Sequence, residues 1–488
     1  MAAPRIKLYP PHLDAPLSKA QAEFLVAKPE RVERHAFFPF LQRNQHWTKF
    51  VAPGKPQKVK DRPIRYASRR DSYIFSHYRS LLCPMYEQAL KNLCISDCVL
   101  AYRRIQAGKG KGGKCNIHFA NEAFNAIHRL GDCVTFAFDI EHFFENLDHA
   151  HIKRMWTRLL NISGAWGKIT KLPLDHSKVF HAVTSYSSLD VEEAYRRLGF
   201  IGEVTGPDGT TRIKYLVSRD EFPPRICSAE DFRLKLSPLI KSNKNPYGIP
   251  QGSPISDLLA NVYMLDFDAS MLQFVKSLEG TYFRYSDDIL LLLPASGLNW
   301  RAIPDQVEAQ LKKYAPRLKL KAEKTQVYRY TSNPSGSQDC AALSGKKAPD
   351  GLEYLGFRFD GKRIFLRNST ISGVQRKISA SARRMAISHL KRNPTLDLPA
   401  LLQSFDYGGL IYRFGRIREF DAAEKKYNRW TFWTYIKRAL MVMGSEAKPL
   451  NLQVSNYRKL IRKKAKDAIE KVYKKRFQIL ASISSGRP

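Results

Sequence analysis

The residues of this chain best suited to chemistry are two adjacent carboxylates, Asp287 and Asp288, which directly precede a run of five large aliphatic residues, 289–293. An apolar run of this length predicts a buried strand. Carboxylates at the mouth of a buried strand are costly unless a cation neutralises them, and divalent metal ions are the obvious candidates because hard cations prefer carboxylate oxygens. A hairpin turn is the structural alternative, since Ser-Asp-Asp is also a good turn sequence. These residues alone leave both interpretations open.

A second short apolar segment, residues 134–140, also carries a carboxylate near its end, Asp139. It predicts another strand, and the residues that follow are typical of a helix start with acidic side chains near its positive end. Two strands that bring Asp139, Asp287 and Asp288 to one edge would supply three carboxylates. Such a set is typical of two metal ions about 4 Å apart, the arrangement that supports in-line attack on phosphate.

Five segments of the chain, in order, resemble the motifs of reverse transcriptases. The segments that resemble motifs A, B and C are Phe138-Asp139-Ile140 with Phe143-Phe144, then Gly248-Ile249-Pro250-Gln251-Gly252-Ser253-Pro254, then Tyr285-Ser286-Asp287-Asp288. The segments that resemble motifs D and E, the latter the primer grip, are Lys324-Thr325 and Tyr354-Leu355-Gly356-Phe357. The resemblance spans roughly residues 60 to 365, and five ordered motifs are far more specific than any one of them.

The resemblance implies an α+β fold of the right-hand polymerase type, with fingers, a palm of antiparallel sheet plus helices, and a helical basic thumb. We expect an N-terminal arm (1–55), fingers (56–130), a palm (131–365) with an insertion at about 150–245, and a thumb or C-terminal nucleic-acid-binding region (366–488). Turn residues 205–210 between two β-prone segments predict a hairpin within the insertion. The pattern of the last quarter predicts helices, including one over Arg418–Met443.

The resemblance also implies roles for single residues at the catalytic centre. Asp139, Asp287 and Asp288, with the backbone carbonyl of Ile140, would hold two Mg²⁺ ions, with Mn²⁺ as an alternative. Lys324 would protonate the leaving pyrophosphate as a general acid.

The implied nucleotide contacts lie around that centre. Phe144 matches the steric gate that clashes with a ribose 2′-hydroxyl, which favours deoxynucleotides as substrates. The other implied nucleotide-binding residues are Arg62, Arg65, Lys114, Gln251 and Gly252. The implied primer-grip residues are Tyr354, Leu355 and Gly356.

A glycine-rich stretch, Gly108–Cys115, matches the pattern of a phosphate-binding P-loop. A P-loop needs Ser or Thr after its lysine to bind magnesium, and Cys115 serves that purpose poorly. We therefore favour a cationic fingers loop that contacts phosphate, in which Lys109 and Lys111 bind nucleic acid.

The charge of the chain is strongly positive, with 81 basic against 45 acidic residues, a net charge of +36 and a pI near 9.9. Such an imbalance indicates a polyanionic partner, and nucleic acid is favoured over an anionic membrane because the basic stretches are spread along the chain. Residues 371–488 carry 26 basic and 8 acidic side chains, which is half of the net charge. Lys463, Lys464 and Lys466 are candidates for backbone contacts; a merely solvated helix face is the alternative.

The seven cysteines are scattered and form no Cys-x-x-Cys pair, which favours a reducing cytoplasm and argues against structural zinc. The first residues lack the apolar core of a signal peptide, and the apolar runs are too short to span a membrane. We expect a cytoplasmic protein; a homo-oligomer stays open.

Within the family, Ala101-Tyr102-Arg103 before a basic loop, and no recognisable RNase H, integrase or nuclease set after the thumb, are most similar to the bacterial defence-associated, unclassified-group reverse transcriptases. That resemblance implies deoxynucleotide substrates, an RNA template or dedicated non-coding RNA, a cDNA product and a role against phage. The alternatives are a retron or group II intron-like enzyme, a template-independent terminal transferase, and an RNA-binding protein without catalysis.

Overall fold

The computed structural model describes residues 11–48, 59–108, 112–163, 167–206, 209–218, 221–334, 336–345, 350–415, 420–421, 426–427 and 431–484. The predicted mixture of helices and antiparallel sheet is confirmed. Among the helices of these ranges, none combines the length and apolar character needed to cross a membrane. Lys109 and Lys111 lie outside the described residues.

The strands are, in chain order, β1 Phe40–Thr48, β2 Val59–Tyr66, β3 Cys133–Asp139, β4 Ser187–Asp190, β5 Ile201–Thr205, β6 Thr211–Tyr215, β7 Lys241–Ser242, β8 Thr281–Tyr285, β9 Asp288–Pro294, β10 Gln326–Ser332, β11 Gln338–Ser344, β12 Leu352–Tyr354, β13 Phe357–Phe359, β14 Ile364–Leu366, β15 Phe420–Asp421 and β16 Lys426–Tyr427.

The α-helices are α1 Lys19–Val26, α2 Pro29–Glu33, α3 Arg69–Asn92, α4 Asn116–Leu130, α5 His149–Ser163, α6 Leu174–Thr184, α7 Val191–Arg197, α8 Ala229–Asp231, α9 Ser256–Tyr263, α10 Leu265–Ser277, α11 Ile303–Tyr314, α12 Asn368–Arg392, α13 Leu398–Ser404, α14 Tyr407–Phe414, α15 Phe432–Met443, α16 Lys448–Val454 and α17 Tyr457–Ser484. Short 3₁₀ helices cover Phe143–Asn146, Ser237–Leu239, Ala322–Lys324 and Gly444–Ala447, and a π-helical turn covers Phe232–Leu236.

A five-stranded antiparallel sheet of order β11-β10-β3-β9-β8 lies in the region predicted to be the palm. Its strand β9 is apolar on both faces because both are covered. Leu291 and Leu293 pack into a core with α3, α5, α9 and α10, while Leu290 and Leu292 pack into a second core with α4 and the C-terminal helices. Full burial on both sides explains the uninterrupted aliphatic run of the sequence.

A second, four-stranded sheet has the order β2-β1-β4-β7. Strand β1 pairs antiparallel with β2 and parallel with β4. This sheet joins segments that the sequence analysis assigned to the arm, the fingers and the insertion, so those three regions share one structure. The predicted hairpin of the insertion is confirmed, since β5 and β6 pair antiparallel around residues 205–211.

The C-terminal part is helical, and its longest helices, α12 and α17, pack against each other. The predicted helix over Arg418–Met443 is wrong in its first half: β15 and β16 form a two-stranded ribbon there, and α15 begins only at Phe432. The reason is a cap, because the Thr431 side chain accepts a hydrogen bond from the Thr434 backbone and fixes the helix start.

Candidate active site

The register of the palm strands brings the three predicted aspartates together. Asp139, the last residue of β3, lies directly opposite Asp288, the first residue of β9. Asp287 stands in the tight turn between β8 and β9, and its carbonyl accepts a hydrogen bond from the Ile140 backbone at 3.0 Å. The Ser-Asp-Asp segment is thus a hairpin turn that also places Asp287 and Asp288 beside Asp139. Metal binding by these carboxylates stays a prediction.

Burial and mutual repulsion make the carboxyl groups of this cluster harder to ionise. Burial raises the pKa of Asp288 to about 7, with further upward contributions from Asp287 and Asp139. Burial is also the main cause that raises the pKa of Asp287. One cation already faces the cluster, since the Lys324 ammonium donates to the Asp139 carboxylate. A further cation beside Asp287 and Asp288 would stabilise their ionised form.

The donor set fits hard divalent cations, which prefer oxygen ligands. The backbone N–H of Ile140 bonds to the Asp287 turn, and its carbonyl is directed to the same side because an extended residue points both groups one way. In the described part of the chain, no three His, Cys, Asp or Glu side chains converge closely enough to form a metal site by themselves. Such an open set suits a metal that keeps waters and takes further ligands from substrate phosphates.

A cleft of about 210 Å³ opens beside the cluster. Of the predicted residues, those that line it are Arg62, Asp139, Ile140, Phe144, Gln251, Asp287 and Lys324. Further lining residues, not predicted, are Asp61, Tyr102, Glu141, His142, Phe143, Glu145 and Lys321. Acidic and basic groups therefore face each other across a space suited to a charged, phosphorylated substrate.

Phe144 reaches the cleft from a 3₁₀ turn that follows β3. Its neighbour Phe143 is only 4% exposed and anchors the turn in the core, whereas Phe144 is half-buried. The Phe144 carbonyl accepts a hydrogen bond from Ile249 at 2.9 Å, which ties the turn to the glycine-rich loop before α9. The position of Phe144 in the wall is thus fixed from two sides.

The glycine-rich loop packs against β2 of the fingers. Gln251 accepts a backbone hydrogen bond from Arg65 at 2.9 Å. Gly252 has φ +115°, and a Cβ at this position would lie 2.6 Å from the Arg65 carbonyl, so only glycine fits. The Arg65 guanidinium lies over the Tyr186 ring, and its buried Nε and Nη1 have no hydrogen-bond partner among the described residues. A buried guanidinium with unsatisfied donors indicates a site for an anion or water.

Comparison with known families adds the deciding observation. Residues 226–359 match the family model described as reverse transcriptase (RNA-dependent DNA polymerase). The matched range holds the glycine-rich loop, Asp287, Asp288 and Lys324, while strand pairing supplies Asp139 from outside it. The chain carries a reverse transcriptase domain. The match covers the segments that resemble motifs B to E, and reverse transcriptase domains generally use divalent metal ions. Activity of the whole chain as an RNA-directed DNA polymerase stays a prediction.

Solved structures of low similarity include telomerases. Apo telomerase from Candida tropicalis is 9% identical with a TM-score of 0.38, over 87% of this chain and 69% of that chain. Telomerase from Candida albicans in complex with a fragment of telomeric RNA is 12% identical with a TM-score of 0.35, over 91% and 66%. This chain spans 55% of the truncated C. tropicalis telomerase, at 11% identity and a TM-score of 0.35 over 66% of this chain. A search of curated proteins returned no match.

The two ends of the basic loop, on either side of residues 109–111, are paired. Its two sides are joined by backbone hydrogen bonds from Lys114 to Ile105 at 2.7 Å and from Ala107 to Gly112 at 3.2 Å. The central residues of the P-loop-like pattern, 109–111, lie outside the described part of the chain. Lys114 forms an ion pair with Glu122 at 2.5 Å and does not line the cleft, so its nucleotide contact stays a prediction.

The predicted primer-grip residues form the tight turn between β12 and β13. Leu355 and Gly356 have φ values of +47° and +94°. The Leu355 carbonyl accepts a hydrogen bond from the Asn116 amide at 3.0 Å, and the Gly356 carbonyl accepts one from the Arg367 backbone at 3.0 Å. Tyr354 is buried in the core shared with the thumb. The turn is fixed by both its neighbours in space, α4 and α12.

The predicted lysines of the thumb lie on α17. Lys463 and Lys466 are exposed on the side of the helix away from the buried Ile461, whereas Lys464 is half-buried at the edge of the buried face. This placement leaves both a nucleic-acid contact and a solvated face open, so the contact stays a prediction.

The sequence analysis missed the residues that support the aspartate turn of the reverse transcriptase domain. Arg284, in the middle of an apolar strand, forms a fully buried ion pair with Asp268, and Tyr102 bonds to Ser286. For Arg284, the available signal was a cation within a buried strand, because a buried charge requires a partner. For Tyr102, the local sequence offers none.

Proposed function

We propose that this chain copies RNA into DNA, with deoxynucleoside triphosphates as substrates and cDNA as product. The single observation that carries this proposal is the strand register that sets Asp139 against Asp288, with Asp287 beside them at a cleft, in a chain with a reverse transcriptase domain. Arg62, Arg65 and Gln251 are the residues for the incoming triphosphate, and Phe144 would contact its sugar.

In the proposed reaction, the side chains divide the work. Asp139, Asp287 and Asp288, with the Ile140 carbonyl, would hold two Mg²⁺ ions, or Mn²⁺. When bound, such ions activate the primer 3′-hydroxyl and stabilise the leaving pyrophosphate. Lys324, which faces Asp139 at the cleft, would give its proton to that leaving group. The basic thumb and the basic loop 105–114 would hold the template and primer backbones.

We further propose that this activity serves bacterial defence against phage in the cytoplasm, with a non-coding RNA as the template or partner. The support is the resemblance of Ala101-Tyr102-Arg103 and the basic loop to that subgroup. Sequencing the RNA and DNA that copurify with the protein tests this: one recurrent RNA and its complementary DNA are expected. Phage plating on cells with the wild type or an Asp287→Asn variant should differ, and equal plating would contradict the defence role.

The first prediction tests the catalytic centre. Asp287→Asn and Asp139→Asn should each reduce primer extension on an RNA template by about 10³-fold or more, because the stabilisation of developing charge is lost. Melting temperature and RNA affinity should remain near wild type. Near wild-type extension by the double variant would contradict the assignment.

Template dependence is measured in the same assay. Products whose sequence follows a changed template support reverse transcription. Products of constant composition on every template would instead indicate a terminal transferase.

A further inference from the structure

The reverse transcriptase domain contains a buried ion pair that the proposed chemistry does not use. Arg284 and Asp268 have 0% exposed side chains and form two parallel hydrogen bonds, each 2.6 Å. The third guanidinium nitrogen of Arg284 donates to the Asn261 side chain at 3.2 Å and to the Ser286 carbonyl at 3.0 Å. A rigid, planar cation thus connects the interior to the turn that holds Asp287.

The segment 98–102 is attached to the same strand. Its backbone runs parallel to the outer edge of β8, with Arg284 donating to Cys98 at 2.8 Å and Leu100 donating to Arg284 at 3.0 Å. The Asn261 amide also donates to the Ala101 carbonyl at 2.9 Å. The segment ends at Tyr102, which lines the cleft.

Tyr102 has φ +63°, a conformation that non-glycine residues adopt rarely and that persists only where the surroundings enforce it. Its carbonyl accepts a hydrogen bond from Arg79 at 3.2 Å, and Arg79 is itself held by both oxygens of Asp257. The next residue, Arg103, is fixed by a two-pronged pair with Glu87. Two arginine–carboxylate pairs therefore keep Tyr102 in this strained position.

The hydroxyl of Tyr102 meets the Ser286 hydroxyl at 3.0 Å. Ser286 also has a positive φ, +62°, and its carbonyl is the acceptor for Arg284. The Ser286 hydroxyl thus holds the aspartate turn on the cleft side, and the Ser286 carbonyl holds it on the interior side. The Ile140 backbone N–H donates a hydrogen bond to the Asp287 carbonyl and so joins the turn to the end of β3.

We propose that Tyr102 and Arg284 are positioning residues that hold the Ser286 turn so that Asp287 faces the cleft in its working orientation. This inference rests on the proposed polymerase function. Tyr102 acts through Ser286, and Arg284 acts through the same residue from the interior. The strain at Tyr102 and Ser286 is the cost of a preorganised carboxylate.

The test uses the full-length protein and removes the hydrogen bond between Tyr102 and Ser286 by changing either partner. Tyr102→Phe and Ser286→Ala should each slow single-nucleotide incorporation at saturating deoxynucleotide by about fivefold, since a lost hydrogen bond of about 1 kcal/mol corresponds to about that change in rate. The double variant should be no slower than the slower single variant, because both remove the same bond. Affinities for deoxynucleotide and primer–template should stay within twofold.

A second measurement is independent of activity. Hydrogen–deuterium exchange at the Ile140 amide should increase in Tyr102→Phe, because that amide is bonded to the turn. The matched control is Tyr86→Phe, which removes a buried hydroxyl near Arg284 that has no hydrogen-bond partner among the described residues. The control should change neither exchange at Ile140 nor the rate.

Incorporation within twofold of wild type in Tyr102→Phe, or losses that multiply in the double variant, would overturn the positioning role. Unchanged exchange at Ile140 would do the same even if the wild type incorporates no nucleotide. Absence of incorporation by the wild type on every RNA template contradicts the proposed function instead, so the two failures are distinct.

Discussion

At the scale of single residues, Phe143 and Phe144 have different roles: Phe143 packs in the core, and Phe144 is accessible at the cleft. Both rings meet edge to face with centroids 5.5 Å apart, but only Phe144 is substantially accessible. Phe143 is part of the core beneath the palm, so changing it would disturb packing before it changed selectivity. Phe144 is the residue at which substrate selection can be tested with the fold intact.

Phe144→Ala and Phe144→Val should increase ribonucleotide incorporation relative to deoxynucleotide incorporation by about tenfold to a hundredfold, because an accessible ring that excludes a hydroxyl acts by shape. The measurement is the ratio of kcat/KM values for matched ribo- and deoxynucleotides on one template. Phe143→Leu serves as the comparison. If selectivity is unchanged in both Phe144 variants and falls in Phe143→Leu, the gate lies at Phe143.

The acidic cluster has a consequence for stability against pH. Burial raises the pKa of Asp288 to about 7, well above the value of an unfolded aspartate. The folded state then binds a proton more tightly than the unfolded state. The stability from this group is fully present below about pH 4 and is lost as the pH rises towards 7.

Asp288→Asn should therefore be more stable than the wild type at pH 7.5 in chelator, by about 1 to 3 kcal/mol, with a difference that vanishes near pH 4. The measurement is the free energy of unfolding by denaturant across this pH range. Added Mg²⁺ should stabilise the wild type more than the variant. Parallel pH curves for the two proteins would contradict the raised pKa.

At the scale of elements, α17 presents a cationic face next to a buried one. Lys463 and Lys466 are exposed, while Ile461, Ala465 and Ile469 pack against the rest of the thumb. Side chains on the cationic face can be neutralised without opening the core. The role of this element is thus separable from its stability.

Replacing Lys463, Lys464 and Lys466 with Gln should weaken binding of RNA template–primer and make its salt dependence shallower. Each lost phosphate contact reduces the slope of log affinity against log salt by about 0.7 to 0.9. The melting temperature should change little. The matched control replaces three exposed palm lysines on α10 and α11, Lys276, Lys312 and Lys313. Equal slopes for the two triple variants would show that α17 makes no specific contact.

The elements also show which parts of the fold local sequence can predict. Strands β3 and β9 were predictable because their apolar runs are long, and the hairpin β5–β6 because its turn residues are characteristic. The pairing of β1 with β4 was not, since Phe40 and its partner Ser188 are 148 positions apart in the chain and are joined only by tertiary structure. Within the site, Asp139, Asp287 and Asp288 followed from motif and spacing. Tyr102 did not, because its role depends on a strained backbone conformation that the local sequence does not indicate.

At the scale of the whole molecule, two hydrophobic cores lie on opposite faces of the palm sheet. One joins the palm to the fingers helices, and the other joins α4, the primer-grip strands and the thumb. The Asn116 amide connects three distant segments of the second core, donating to the Leu355 carbonyl and to the Tyr435 hydroxyl, both at 3.0 Å. Thumb position and primer-grip position are therefore coupled through one side chain.

Asn116→Ala should shorten the DNA made per binding event by about threefold to tenfold, because two hydrogen bonds of about 1 kcal/mol each that join thumb and primer grip are lost. The rate of the first incorporation should stay near wild type. Product lengths are measured on a long RNA template with a trap for dissociated enzyme. Asn92→Ala, at an exposed site of α3, is the control. Normal product lengths in Asn116→Ala would show that the coupling is unimportant for synthesis.

The enclosed pair of Arg284 and Asp268 also limits how this chain can diverge over generations. Loss of either charge alone leaves the other unpaired in the interior. This destabilises the fold by about 3 to 5 kcal/mol, a large part of the free energy of unfolding of a domain. Simultaneous replacement of both by apolar residues can preserve the fold. Such a descendant would retain its shape yet lose the bond to Ser286. We therefore expect related sequences that have lost the ion pair to show slower nucleotide incorporation, and sequences with fast incorporation to retain the pair.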